Sequence, residues 1–335
     1  MTGTWRGVAM GRLLRRGVVA AGAAVVLLGP AAGVASAAGE APGGARLTGA
    51  ARAVSGGAWG SAIEVPGIAA LNTGGAAYVN WVSCATAGNC SAGGSYIDSS
   101  GNQQAFVVSQ VNGTWGTAKE VPGTAALNQG GTAAVTSVSC ASAGDCSAGG
   151  YYDDSSGVVQ MLVVSQVNGI WGTAREIPGT GALNQTNRVV QNVFVSCASA
   201  GNCSVGGVYQ DSSGDVQAFV VSQADGTWGS AEEIPGTAAL NAGGAAYVNA
   251  VSCASAGNCD AGGNYTDSSG NQQAFVVSQV NGSWGNAKEV LGTAALNTGG
   301  LAGTGTLSCA PAGTCSAGGG YLGTGGFQAF VVNKT

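Results

Sequence analysis

Ten cysteines pose the first chemical question. They fall in five Cys-x5-Cys pairs: Cys84 with Cys90, Cys140 with Cys146, Cys197 with Cys203, Cys253 with Cys259 and Cys309 with Cys315. Spaced cysteines can hold a metal, do redox work or form disulfides. The chain of 335 residues has no His, which removes the Ser–His–Asp triad, the imidazole base and the commonest partner ligand of a thiolate site. The Ala-Ser-Ala-Gly-Asn type sequence between the cysteines reads as a turn. Each pair therefore predicts a disulfide across a hairpin, formed in an oxidising compartment. No metal and no cofactor is expected.

Two further polar sets recur. Asn72, Asn128, Asn184, Asn241 and Asn297 each follow a Leu, and Asp98, Asp154, Asp211 and Asp267 each open an Asp-Ser-Ser-Gly turn. Short amide and carboxylate side chains of this kind cap turns by bonding nearby backbone, and they also bind hydroxylated ligands or cations. They are the candidate ligand-binding residues. The fifth copy reads Gly323-Thr324-Gly325-Gly326, so a ring of five acidic sites is excluded. Gln104, Gln160, Gln217, Gln273 and Gln328 recur just before a strand and suggest ladder or inter-sheet hydrogen bonds. A hydrolase would need two carboxylates in unlike environments. The non-repeated polar residues Asp145, Asp153, Arg188, Asp215, Glu232 and Asp260 are scattered across copies, and no catalytic residue is assigned.

The elements that position these residues are copies of one unit. Trp59, Trp115, Trp171, Trp228 and Trp284 recur at spacings of 56, 56, 57 and 56. Turn signals divide the unit into four strands, at Ala133–Cys140, Cys146–Tyr152, Val159–Val167 and from Trp171 to about Ile177, with no helical periodicity. Asn168-Gly169 suits a type I′ hairpin, in which both positions need positive φ. Four antiparallel strands at this repeat length predict an all-β fold, a five-bladed β-propeller of four-stranded antiparallel blades over residues 57–335. The last copy stops after strand three, so Gly57–Glu64 is expected to supply its fourth strand and close the ring, removing two exposed sheet edges. The Trp residues are expected to pack between blades, or to serve as sugar-stacking platforms. The Leu-Asn and Asp-Ser-Ser-Gly segments should share one face.

Residues 1–37 read as a signal peptide, with Arg6, Arg12, Arg15 and Arg16 before an apolar run and Ala35-Ser36-Ala37 at the cleavage site. Export by the general or the twin-arginine route is left open. Residues 38–56 read as a flexible linker. Only 8% of the chain is charged. Removing residues 1–37 removes four of 11 basic residues and none of the 16 acidic ones, leaving 7 − 16 = −9. That balance opposes nucleic-acid binding and attraction to anionic membranes. A secreted monomer with no membrane span after cleavage is expected.

Ser252-Cys253-Ala254-Ser255-Ala256-Gly257-Asn258-Cys259-Asp260-Ala261-Gly262-Gly263 resembles the Ser-Cys-x5-Cys-x-x-x-Gly repeat of secreted actinobacterial β-propeller-like proteins. The resemblance spans residues 57–335 and implies architecture without assigned chemistry. Ser109–Trp115 is more weakly similar to the Asp-box of sialidase-type propellers, one residue short and with Asn for Asp; that box is a structural turn. The five near-identical blades resemble those of a tachylectin-like lectin. Together these point to multivalent binding of an extracellular glycan or cell-envelope component. The alternatives are a structural or protein-interaction propeller and a glycoside hydrolase or sialidase-like enzyme.

Overall fold

A computed structural model describes residues 58–184 and 192–334. The signal-peptide and linker segments and Arg188 lie outside the described residues. The chain divides into two units, residues 1–60 and 61–335. Of the first, only residues 58–60 are described, and they form no strand. All five sheets belong to the second, and no described helix is long and apolar enough to cross a membrane.

The first sheet comprises Ala77–Thr86, Asn89–Ile97, Gln103–Val111, Thr114–Trp115 and Lys119–Glu120. Neighbouring strands are antiparallel, and the same order recurs in sheets two to four. The Asn-Gly turns adopt the expected positive φ, 49° at Asn168 and 81° at Gly169. Each cysteine pair lies at directly opposed positions of strands one and two. All five expected disulfides are formed: Cys84–Cys90, Cys140–Cys146, Cys197–Cys203, Cys253–Cys259 and Cys309–Cys315.

Three expectations about the elements of the repeat need correction, and so does a fourth, the closing strand. The segment between the cysteines is not all turn. In the first sheet strand one runs past Cys84 to Thr86, and strand two begins at Asn89, before Cys90. Cys90 therefore lies inside strand two, buried and opposite both Cys84 and Gln110. Only Ala87 and Gly88 turn the chain. A bulge after Cys84 shifts the register so that Thr86 pairs with Asn89, which extends the ladder beyond the disulfide. In the fifth sheet the strands do end at Cys309 and start at Cys315, as expected.

The fourth strand is not continuous. In the second sheet it is Ile170–Trp171 and Arg175–Glu176, both paired to strand three. The break exists because the Ala174 N–H leaves the ladder and donates to Pro122 O, in the link that follows the first sheet, at 2.7 Å. Helix is also present. Each link carries one turn, as at Thr124–Leu127, entered through Gly123 at φ 88° and tied by Thr124 Oγ1 donating to Val121 O at 2.7 Å. A four-residue turn is too short to leave a helical period in the sequence.

The core lies between successive sheets. Ala105, Val107 and Val121 of the first sheet and its link pack with Val135, Val138, Ala148, Leu162 and Val164 of the second. Equivalent clusters join sheets two and three, three and four, and four and five. Strand two makes this packing possible through paired glycines. A Cβ on Gly93 would meet Val135 Cγ1 of the next sheet at 2.4 Å, and one on Gly94 would meet the Tyr78 carbonyl oxygen at 1.8 Å. The first glycine admits the neighbour. The second admits a carbonyl turned out where the register of strand one shifts between Val79 and Trp81.

The expected closing strand is not formed. The fifth sheet has three strands, Ala302–Cys309, Cys315–Gly323 and Gly326–Lys334. Residues 58–64 form no strand, and Ile63 is 68% exposed. Sheets one and five each keep one uncovered apolar face.

Gly150 repeats the close approach of Gly94, with the Ala134 carbonyl oxygen 2.0 Å from a would-be Cβ. Gly150→Ala should therefore cost about 2–3 kcal/mol, typical of overpacking. A lowered urea midpoint is the expected reading; an unchanged midpoint would show that the bulge relaxes freely.

Candidate functional site

The sheets have two ends with different chemistry. At the link end the structure brings the two expected polar sets together. Asp98 Oδ1 accepts the N–H groups of Ser100 and Asn102 at 2.8 and 3.0 Å, and Oδ2 accepts Gln104 Nε2 at 2.9 Å. Gln104 Oε1 in turn accepts Asn128 Nδ2 at 2.9 Å, and the same amide donates to Gln103 O at 3.0 Å. The Asp–Gln–Asn chain repeats as Asp211–Gln217–Asn241 and Asp267–Gln273–Asn297. In the second copy Asp154 accepts from Gln160, while Asn184 donates to Val159 O. Asn72 Oδ1 accepts Ile97 N–H at 3.4 Å. Asn128, Asn184, Asn241 and Asn297 are buried. Asn128, Asn184, Asn241 and Asn297 thus fasten each link to strand three of the preceding sheet, while Asn72 accepts from strand two of the first sheet and Asn128 Oδ1 is buried without a partner. Gln104, Gln217 and Gln273 lie inside that strand as the middle member of the chain, while Gln160 bonds Asp154 alone and its Oε1 is buried without a partner.

These bonds shift the acids. The amide of Gln104, helped by backbone N–H donors, holds the Asp98 carboxyl below its usual range, and Gln273 does the same for Asp267. At Asp154 and Asp211 burial pushes upward, and the combined hydrogen bonds still hold the carboxyl down. On the strands above, Tyr96, Tyr152, Tyr209 and Tyr265 each donate to a Glu: Glu120, Glu176, Glu233 and Glu289, at 3.2, 3.3, 3.1 and 3.0 Å. Burial first, then the Glu, raises these phenols well above the usual 10.

The hairpin end, where the disulfide loops and the Asn-Gly turns meet, carries open clefts between sheets. That between sheets two and three has a volume of about 400 Å³, with Asp145, Ser165, Gln166, Arg175 and Gln223 among its lining residues. That between sheets three and four, about 660 Å³, is lined by Ser222, Gln223, Trp228, Glu232, Gln279 and Trp284, among others. A serine-centred network forms the floor. Gln279 Nε2 and Trp284 Nε1 both donate to Ser222 Oγ, at 2.7 and 3.2 Å, and Ser204 donates to Gln279 Oε1 at 3.4 Å. Gln166, Trp171, Ser109 and Ser91 repeat the pattern two interfaces earlier, between sheets one and two. The cysteines beside these networks offer no thiol chemistry. Sγ of Cys90 is bonded to Cys84, and no cysteine among the described residues is free.

Gln223 breaks the pattern. It is 5% exposed, and its amide N–H groups donate to Gly226 O and Ser165 Oγ. Its Oε1 is buried with no partner, unlike Oε1 of Gln166 and Gln279. An orphaned buried acceptor beside an open cleft is the feature that sequence reading missed. Its only signal lies in three-dimensional pairing, since Gln recurs at this position in the first four copies.

The non-repeated carboxylates serve different local purposes. Asp145 accepts from Ser142 and from Asn168 N–H, and Asp215 N–H donates to Asp211. Glu232 is exposed on the rim of the cleft between sheets three and four. Asp260 pairs with Lys334 Nζ at 2.9 Å. Asp260 stands where other copies have Ser, and Lys334 where they have Gln, so a neutral inter-sheet bond has become an ion pair at the interface of sheets four and five. Asp260 lies close to Sγ of Cys309 and Cys315, but those sulfurs are joined in a disulfide and are not thiolate ligands.

No family model matches the chain, and no curated protein is similar to it in sequence. Solved structures are similar in part. A protein of unknown function from Dyadobacter fermentans aligns at 12% identity and TM-score 0.46, over 77% of this chain and 79% of its own. A Hadza microbial sialidase aligns at 11% and 0.43, over 77% and 56%. An α-L-arabinanase from Penicillium chrysogenum aligns at 12% and 0.39, over 77% and 75%.

The acid and phenol shifts set the pH response. Carboxyls held low when folded contribute stability above about pH 4, and that contribution is lost as pH falls through their folded values. Phenols raised when folded favour the neutral form, so stability falls as pH rises past about 10. The unfolding midpoint should be flat between these limits and drop on both sides. Tyr152→Phe should weaken the alkaline drop, and Asp154→Asn the acid one. Unchanged limbs in these variants would contradict the assignment.

Proposed function

We propose that this chain is a five-bladed β-propeller acting as an extracellular, non-catalytic binding module, with its ligand sites in the inter-sheet clefts of the hairpin end. The supporting observation is the buried, unpartnered Gln223 Oε1 beside the clefts on both sides of the third sheet. A buried acceptor left unpaired costs about 1–3 kcal/mol, and a donating ligand recovers this. A polyhydroxylated ligand has the right chemistry. A hydroxyl donates to Gln223 Oε1, an apolar sugar face lies against the partly exposed Trp284, and Arg175 and Glu232 offer polar contacts at the rims. A glycan of a cell envelope or extracellular matrix fits this description. Five disulfides support an oxidising, extracytosolic setting.

The proposal relocates the site. The sequence pointed to the asparagines and aspartates of the link end, most of whose polar atoms are used within the fold, although Asn128 Oδ1 there is also buried without a partner. The scattered roles of the carboxylates favour binding over hydrolysis.

A glycan array probed with the mature chain tests this reading. Binding is expected, weakened about tenfold or more by Gln223→Leu or Glu232→Ala, with Glu232→Ala leaving the melting temperature unchanged. No binding to any glycan, or hydrolysis of a bound one, would overturn it.

A further inference from the structure

Four interfaces between successive sheets repeat the same bonds. Cys140, Cys197, Cys253 and Cys309 each donate a backbone N–H to a Ser Oγ of the preceding sheet: Ser83, Ser139, Ser196 and Ser252, at 2.9–3.0 Å. Ala174, Ala231 and Ala287 donate to Pro122, Pro178 and Pro235, and Ala118 donates to Pro66. In sheets one to four a Tyr in strand two bonds the Glu that ends strand four of its own sheet.

At the two free faces every member of this set is present and, among the described residues, unmatched. Cys84 N–H has no preceding sheet, and Ser308 has no following one. Leu291, at the position of the prolines, is 94% exposed, and Ala62 occupies the place of the donating alanines. Tyr321 is the fifth tyrosine and Glu64 the fifth glutamate. The apolar surfaces match in the same way. Val331 is 84% exposed where Val107, Val163 and Val220 are at most 1%. Val79 and Val82 are exposed where Val135 and Val138 are buried. A Cβ on Gly318 would meet only its own sheet, whereas Gly93 receives Val135. An apolar cavity of about 240 Å³ borders Ile63, Val65, Val79 and Val82.

We infer that residues 61–65 are a strap poised to close the stack as the fourth strand of the fifth sheet, sealing that sheet against the first. Lys288 and Glu289 lie opposite Val276 and Phe275, so by equivalence Ile63 lies opposite Val331 and Glu64 opposite Phe330. Val65 N–H then donates to Ala329 O, as Val290 N–H does to Ala274 O. Tyr321 donates to Glu64, Ala62 N–H donates to Leu291 O, and Cys84 N–H donates to Ser308 Oγ. Val79 enters the space above Gly318, and Val331 joins the half-core of Ala92, Phe106 and Val108. The occupant of both free faces is this chain itself: four copies of the same interface show what covers them, and tethering within one chain favours the intramolecular partner over a second copy. The inference deepens the propeller reading and stands whether or not a glycan binds.

A double-mutant cycle on the full mature chain tests it. Tyr321→Phe and Glu64→Ala are made singly and together, beside the internal pair Tyr152→Phe and Glu176→Ala. Unfolding equilibrium constants are read from denaturant curves at two protein concentrations, with molecular mass by light scattering. The expected result is coupling at Tyr321/Glu64 equal to that of the internal pair within about twofold, in a monomer, at both concentrations. Val331→Asp should also lower the midpoint well below that of Val111→Asp, a change at an exposed control site. Absence of coupling would overturn the strap. Coupling found only in a dimer or larger assembly would assign the faces to a second copy and also overturn it.

Discussion

The whole arrangement depends on a pair of adjacent glycines in the second strand of each sheet. At Gly93-Gly94 the first removes the side chain that would block the next sheet, and the second makes room for a carbonyl displaced by the bulge in strand one. Close approach of the sheets then buries valines on both sides and brings Ser, Gln and Trp side chains within hydrogen-bonding reach. Larger residues at these positions would push the sheets apart, and the bond from each Cys N–H to the serine of the preceding sheet would break. The abundance of glycine in this chain is therefore a packing requirement as well as a turn requirement.

Much of this was legible in the sequence. The equal spacing of Trp and Cys and the Asn-Gly and Asp-Ser-Ser-Gly turns pointed to five sheets, and the disulfide pairs followed from Cys-x5-Cys. The continuation of the ladder past Cys84 and Cys90 was not legible, because a bulge sets it and the intervening small residues read equally well as turn. The broken fourth strand was hidden because its cause is a tertiary bond, from Ala174 to Pro122, that leaves no local trace. The one-turn helices escaped for want of length. The shared face of the Leu-Asn and Asp-Ser-Ser-Gly segments was deduced correctly from topology, but their mutual hydrogen bonding through Gln104 and its equivalents depends on side-chain geometry.

Repetition also bears on where a ligand site can arise. A polar residue copied in every repeat finds the same partner in most repeats, and the Asp–Gln–Asn chains of the first, third and fourth copies illustrate how a conspicuous motif is taken up by architecture. The proposed site lies where a repeated residue loses its usual partner, at Gln223, and where neighbouring copies differ, at Arg175 and Glu232. The paired change to Asp260 and Lys334 shows the other outcome: two departures that satisfy each other and leave nothing free.

The central claim is that ligand meets the hairpin end and not the link end. Hydrogen–deuterium exchange of the mature chain, with and without an extracellular polysaccharide mixture, tests this most directly. The account predicts slower exchange in residues 222–232 and 279–284 and no change in the Asp98, Asp154, Asp211 and Asp267 turns. Protection confined to those turns would contradict it.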